Sequence, residues 1–446
     1  MTIENMSKQR IIAGIDLGSS KIATVVAQLN VDPVSFERSI HVIGVSTIES
    51  RGVRKGQIVD IEEAVEAIIE SVEGAERMAG FNIDNALVSL GGAQVSSQNS
   101  HGVVAVTDPQ GEIGEHDVSR VIEGASAVSL PSSRELVHVI PREYIVDGDN
   151  GVKDPVGMSG IRLEAETHLV TASTSGVKNI RKAINEVGIS VSQLVYSGLA
   201  SSDAVLTKTE KELGCILVDI GGGTTSVAVY VDGALSYSCV IPVGAKNVTN
   251  DLAIGLRVSL ESAEKIKLAL SDHEKKFKRT KEEKSTGPDE VDLSMIDQSE
   301  DKKVSRKTLV EGIVRPRLNE IFGMIKTQLD KEGLMGRTPS GVILTGGGAE
   351  TVGVIESAKR VLSLPVRVGT PSGVGGLIDD IVNPAYATVV GLILYGANLE
   401  PEETITSISK RFKLPTKSGS NKAGGKGSSA SSMVNNIIQS IKDLLP

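Results

Sequence analysis

Residues 12–21 read Ile-Ala-Gly-Ile-Asp-Leu-Gly-Ser-Ser-Lys, and residues 216–225 read Ile-Leu-Val-Asp-Ile-Gly-Gly-Gly-Thr-Thr. Each is an apolar run that ends on a carboxylate, Asp16 or Asp219, and then turns through glycines and hydroxyl residues. A second apolar run follows each turn (22–29 and 226–231), then a third (41–48 and 235–243), then a helical pattern. The first of these helices places Ile61, Val65, Ile68, Ile69, Val72 and Met78 along one face, and the second covers 246–256. A β-β-β-α unit met twice, with an Asp-x-Gly loop after its first strand both times, predicts two homologous α/β lobes. The length of 446 residues agrees, because a single hydrophobic core stops growing well before that size.

The two loops carry the chemistry. Gly18 and the triplet Gly221, Gly222 and Gly223 let backbone N–H groups come close to an anion such as a phosphate. Ser19, Ser20, Thr224 and Thr225 add hydroxyl donors, and Lys21 adds a positive charge. Asp16 and Asp219 stand at strand ends, where they could hold a hydrated Mg2+ against a phosphate chain. A third loop follows the buried-strand pattern of 342–345, where Gly346, Gly347 and Gly348 lead toward a helix over 351–362. Glycines between a strand and a helix allow a ligand to lie against backbone. On a predicted helix over 259–270, Glu264 and Lys267 are three apart and share a face. From there they could reach a ribose, or form an ordinary surface ion pair.

Two insertions interrupt the repeat. The first, 85–166, predicts a small α+β subdomain with strands at 86–90, 102–106, 135–140 and 161–170 and a helix near 116–128. The second contains 271–306, charge-rich and poor in apolar residues, which predicts a mobile surface loop; a helix over 309–329 then returns to the lobe. The expected division is lobe 1 from 10–84, 167–205 and about 375–400, with 85–166 inserted in it. Lobe 2 takes 206–245 and 335–375, with 246–334 inserted.

A net charge of −9 and a pI near 5.4 argue against a general nucleic-acid binder. The two cysteines, Cys215 and Cys239, lie in strand-like apolar runs and predict reduced core residues. No apolar h-region stands near the first residues and no apolar run reaches membrane-spanning length, so a cytoplasmic body is expected.

From 410 to 432 the composition is dominated by Lys, Gly and Ser, a flexible linker with basic residues and no acid. Residues 433–445 regain a helical period that gathers Met433, Val434, Ile437, Ile438, Ile441, Leu444 and Leu445 within an arc of about 140°. Such a helix is about 20 Å long, too short and too amphipathic to span a bilayer. Behind a basic leash it predicts a peripheral anchor on an anionic membrane surface.

Three such loops in this order, with Ala263-Glu264-Lys265-Ile266-Lys267 between the second and third, resemble the superfamily of actin, MreB, sugar kinases and DnaK-type chaperones. Within it, residues 14–21, 139–147, 154–160 and 383–391 are similar to strings of FtsA, a family of bacterial cell-division proteins. The likeness covers about 10–397, and two of its strings fall in the first insertion, which that family places differently from actin. The resemblance implies an actin-like two-lobed α/β fold that binds ATP with Mg2+, self-associates, and tethers filaments of the tubulin-like FtsZ to the inner face of the cytoplasmic membrane at the division ring. Other division proteins that join later are implied as partners. It assigns 16–21 and 219–225 to the two phosphate loops, with Asp16 and Asp219 as the Mg2+-associated pair, and 345–349 to the adenosine loop. Glu264 and Lys267 would contact ribose and adenine.

Helices near 199–206 and 385–394 would connect the lobes. Hydrolysing relatives carry a carboxylate just before the first connecting helix, where this chain has Ser197, so turnover is expected to be slow at most. The C-terminal peptide of FtsZ would meet the second insertion around Arg306, Arg315 and Arg317. The rival readings are a PilM-like pilus-assembly protein and a small-molecule kinase of the same superfamily.

Overall fold

The computed structural model describes residues 10–31, 38–279, 289–297, 302–377, 379 and 381–399, without the side chains of 272–279. The linker and the amphipathic segment lie outside the described residues. The chain divides into two compact units, one built from Met1–Ser97, Pro131–Val137 and Val170–Leu394, the other from Gln98–Leu130, His138–Leu169 and Tyr395–Pro446.

The first unit contains the repeat as two sheets of the same topology. In one, Arg10–Leu17, Lys21–Val31 and Arg38–Glu49 form an antiparallel meander. Asn85–Leu90 and then Ser190–Tyr196 add in parallel beyond the first strand. In the other, Cys215–Ile220, Thr225–Val231 and Ala234–Ile241 make the meander, and Val342–Thr345 and Val366–Val368 add in parallel. Asp16 pairs with Ala23 across its hairpin and Asp219 with Ser226, so the two carboxylates occupy matching register positions. Cys215–Ile220 and Thr225–Val231 are buried at every position, as expected of central strands covered on both faces. Cys215 is fully buried and Cys239 partly so; both are free thiols, and burial raises their pKa to about 12 and about 11.

The helix Ile61–Ala79 starts on Asp60, whose carboxylate accepts from the Glu63 N–H at 3.1 Å, and stops at Gly80 in the left-handed region. Its buried face keeps Ile68 and Val72 from the stripe expected from the sequence and is otherwise made of small residues. Ala64, Ala67, Ile68, Ser71, Val72 and Ala75 face inward while Met78 is exposed. The reason is local close approach: a Cβ on Gly44 would lie 2.4 Å from the Ala75 carbonyl, so the residues at that crossing must be small.

Ser197–Val205 and Ala387–Asn398 are the two buried helices that run between the sheets. They cross at Gly391, where a Cβ would lie only 1.8 Å from the Ala200 carbonyl oxygen. Around the second sheet pack Ala245–Leu256, Leu260–Arg279, a π-helical turn Thr308–Val314, Arg315–Lys331 and Val354–Leu362. Part of the segment expected to be a loop is ordered. The helix from Leu260 runs to Arg279, and Glu290–Asp292 pairs with Lys303–Ser305 as a hairpin. That hairpin forms because Leu293 is fully buried and Val291, Ile296 and Val304 pack against the core. A few apolar side chains suffice to fix a charged segment.

The second unit is organised on a sheet of strand order Ser96–Ala105, Arg162–Ser173, Arg134–Val146, Asp149–Val152. The helix Glu115–Ser126 buries Val118, Val121, Ile122 and Ala125 and approaches the sheet over Gly102. Asp117, 2% exposed, accepts from the N–H groups of Thr107 and Gly114 and from Thr107 Oγ1, which closes the loop before that helix. His138 and His168 are buried here, and desolvation lowers their pKa to about 4 and about 3.

Candidate nucleotide site

Each meander carries the site carboxylate one residue before the end of its first strand, and the two hairpin loops that follow come together. The loops touch. A Cβ on Gly222 would lie 1.9 Å from Ser20 Oγ, and one on Gly223 would lie 2.8 Å from Ser19 Oγ. None of Gly18, Gly221, Gly222 and Gly223 has a positive φ; Gly222 and Gly223 are required by the closeness of the loops, and Gly18 by the Lys21 carbonyl of its own hairpin, 2.6 Å from where its Cβ would lie. Within the second loop the Gly221 N–H donates to the Thr224 carbonyl at 2.8 Å, and Thr225 Oγ1 donates to the Val243 carbonyl. Lys246 reaches back from the second meander's helix and donates to the Ser19 carbonyl at 2.8 Å.

The third loop closes on the same point. Gly346, at φ +78°, lies so near Asp219 that a Cβ there would sit 2.3 Å from Asp219 Oδ1; one on Gly348 would meet Ile220. Gly347 and Gly348 do not open a helix directly, as the sequence led us to expect. They form a 3-10 turn, Gly347–Glu350, and the helix begins at Val354. The Gly346 N–H donates to the Pro384 carbonyl, which ties this loop to the turn before the second connecting helix.

Asp219 is the best-held group of the site. Its Oδ2 accepts from Ser201 Oγ at 2.5 Å and Thr388 Oγ1 at 3.0 Å, one hydroxyl from each connecting helix. Burial raises its pKa to about 6; the two hydroxyl bonds and Lys21 oppose that rise, and the Asp16 charge adds to it. Asp16 is raised by burial too, against a hydrogen bond from Ser89 and the charge of Lys21. Burial lowers Lys21 to about 8, opposed by Asp16, Asp219 and Glu350. Its ammonium sits over the Tyr386 ring, 3.2 Å from the centroid. The site thus gathers three carboxylates around one lysine. Two desolvated carboxylates that favour protonation are a donor set that a hydrated divalent cation suits, since Mg2+ keeps most of its waters and takes few protein ligands. Among the described residues no group of three or more His, Cys, Asp or Glu is placed to hold a metal by itself.

Glu264 and Lys267 form an ion pair at 2.7 Å, and Thr249 Oγ1 donates to Glu264 and accepts from Lys267. Lys267 is buried and the Glu264 side chain is 43% exposed, so only the carboxylate is open to a ligand. Their helix is joined to the stretch after the third loop by Ser271, whose hydroxyl accepts from the Val352 N–H.

Residues 216–391 match the family model for the cell division protein FtsA, and residues 92–171 match the SHS2 domain inserted in FtsA. The chain is 36% identical over 400 residues to the cell division protein FtsA of Pseudomonas aeruginosa, covering 90% of this chain and 92% of that one. It is 35% identical over 400 residues to the Escherichia coli K12 FtsA, covering 87% and 90%. The chain belongs to the FtsA family of cell division proteins. Its FtsA fold is actin-like, with helices on two sheets of one topology. The PilM–PilN type IV pilus biogenesis complex shares that fold at a TM-score of 0.59 and 15% identity, over 87% of this chain and 99% of that one. An MreB5 structure of Spiroplasma citri bound to ADP has a TM-score of 0.47 at 13% identity, over 90% and 98%.

Two of the three arginines expected to meet a partner, Arg315 and Arg317, are ion-paired within this FtsA-family chain. Arg317 is bound by both Asp251 oxygens at 2.6 and 2.8 Å and by Glu320, and Arg315 is paired with Glu311. Arg306 precedes the helix and lines a cavity of about 460 Å3 with Asp289, Lys307, Val310 and Glu311. Sequence reading missed Ser89, Ser201, Tyr386 and Thr388, which hold the site's charged groups. Tyr386 and Thr388 lie in the 383–391 string already singled out, but nothing local marks them as neighbours of Asp219 or Lys21.

Proposed function

We propose that this FtsA-family protein binds Mg2+-ATP where its three glycine loops meet, self-associates, and tethers FtsZ filaments to the inner face of the cytoplasmic membrane at the division site. The observation that carries the nucleotide reading is the convergence of Asp16, Lys21 and Asp219 on touching loops at the seam of two equivalent sheets. In this reading the N–H groups and hydroxyls of Gly18, Ser19, Ser20 and Gly221–Thr225 take phosphate oxygens. Lys21 supplies charge, and Asp16 and Asp219 hold the waters of Mg2+. Gly346, Gly347 and Gly348 pass the adenosine, with Glu264 toward the ribose and Lys267 fixing it. A bound Mg2+ would neutralise phosphate charge. The lobes follow the division set out from the sequence.

Ser197 donates to or accepts from Ser226 Oγ at 2.9 Å, a hydroxyl pair with no base strength, so we infer slow turnover. The proposed contact for an acidic-apolar FtsZ tail is the cavity at Arg306 and Lys307, since Arg315 and Arg317 are neutralised within the chain. The proposed anchor is 433–445, preceded by the basic linker; among the described residues no helix is long and apolar enough to cross a membrane. One anchor of this length adheres weakly, and a polymer carrying many adheres firmly. Co-sedimentation tests the whole reading. FtsZ polymers should pellet with anionic liposomes only when this protein and Mg2+-ATP are present. Retention of FtsZ in the supernatant in all conditions overturns it.

A further inference from the structure

A fourth backbone element reaches the phosphate loops, and none of the motifs contains it. The short hairpin Val53–Arg54 and Gln57–Ile58 turns through Lys55 and Gly56. The Gly56 N–H donates to Ser19 Oγ at 2.9 Å. A Cβ on Gly223 would lie 3.2 Å from the Lys55 nitrogen, so this turn touches the first and second loops together. It is braced from behind. A Cβ on Gly56 would meet the Gly92 nitrogen at 2.6 Å, and one on Gly92 would meet the Lys55 carbonyl at 2.7 Å. Both glycines have positive φ, 70° and 92°, and Lys55 itself is held at φ 49°, in the left-handed region that asparagine and glycine tolerate better. Gly91, beside Gly92, faces Ser197. The turn is therefore backbone locked against backbone, with an exposed lysine at its tip.

Charge gives the lysine a task. Asp16, Asp219 and Glu350 surround Lys21, so its charge is largely offset by neighbouring carboxylates where a polyanion would lie. Lys246 is already engaged with the Ser19 carbonyl. We propose that the Lys55–Gly56 turn reads the terminal phosphate of a bound nucleoside triphosphate, with the Lys55 ammonium and the Gly56 N–H as donors. This rests on the reading that the loops bind nucleotide. The Ser19 hydroxyl oxygen marks where an acceptor for the Gly56 N–H sits, and a third phosphate group would offer another there. A diphosphate lacks the group that both donors read.

The test is calorimetric titration of the full-length protein with ATP and with ADP, both in Mg2+. Lys55→Asn keeps a residue at home in the left-handed region while removing the charge, and circular dichroism checks its fold. We expect the variant to lose about tenfold in ATP affinity, as for one charge-assisted phosphate contact, while ADP affinity changes less than twofold. Lys55→Arg should keep the ATP preference. Equal losses for ATP and ADP, or no loss for either, overturn the proposal. Failure of the parent protein to bind either nucleotide overturns instead the nucleotide reading on which it rests.

Discussion

Replacing Asp219 with asparagine should stabilise the nucleotide-free protein while destroying its nucleotide response. Asp219 is 7% exposed, and burial raises its pKa from 3.8 to about 6. An acid with a raised folded pKa holds its proton more tightly in the folded than in the unfolded state, so stability falls as pH rises from 3.8 through 6. At 1.36 kcal/mol per pKa unit, the ionised carboxylate costs the fold about 3 kcal/mol at neutral pH. Asparagine has nearly the same shape, can accept from Ser201 and Thr388, and carries no charge to repel Asp16. For a unit of this size, 1 kcal/mol moves the melting temperature by about 2 °C, so Asp219→Asn should raise it by about 6 °C at pH 7.5. At pH 5 the folded parent has taken up most of its own proton and the gain should shrink to about 3 °C. Comparing parent and variant at each pH cancels the titration of His138 and His168. Thermal unfolding followed by circular dichroism measures both gains, and Mg2+-ATP should then raise the melting temperature of the parent only. A gain of equal size at the two pH values, or none, refutes the idea that a buried charge at 219 is the cost.

In titration calorimetry Asp219→Ala should weaken Mg2+-ATP binding at least tenfold, about 1.4 kcal/mol, with the fold intact. In the second unit the depressed histidines predict the opposite pH trend. Their contribution is complete above about 6.5 and is lost as pH falls toward 4, so hydrogen exchange in Arg134–Val146 should accelerate between pH 6.5 and 5 and flatten in His138→Gln, His168→Gln. Gly391→Ala places a methyl 1.8 Å from the Ala200 carbonyl and should cost about 2 kcal/mol in denaturant unfolding, despite alanine's better helix propensity. Ile437→Glu with Ile441→Glu should release the protein from anionic liposomes in flotation while ATP binding persists; a double variant that still floats would mark the 433–445 segment as a protein-docking element.

What was legible from sequence was whatever contiguous residues encode. An apolar run ending on Asp, a tight glycine turn and a second apolar run form one hairpin, and its register follows from its own pattern, as Asp16 opposite Ala23 and Asp219 opposite Ser226 illustrate. Because that hairpin occurs twice, the sequence by itself determined the duplicated lobes, the three loops and, with the 139–160 and 383–391 strings, the family. The inward face of Ile61–Ala79 was misread in part because helical periodicity marks large residues, whereas near its crossing with Gly44 this helix packs so close that a small residue such as Ala75 is needed. Likewise the ordering of 289–297 and 302–306 depends on a few side chains reaching a core built elsewhere, which composition averages hide. The tertiary structure alone decided what holds the site. Ser201 and Thr388 lie 187 residues apart, yet both bond Asp219, because two helices cross between the sheets. Lys21 meets Tyr386, and Gly56 meets Ser19, in a similar way: local pattern specifies how a strand or loop is made, and only the packing of one element against another specifies which distant polar group it will face.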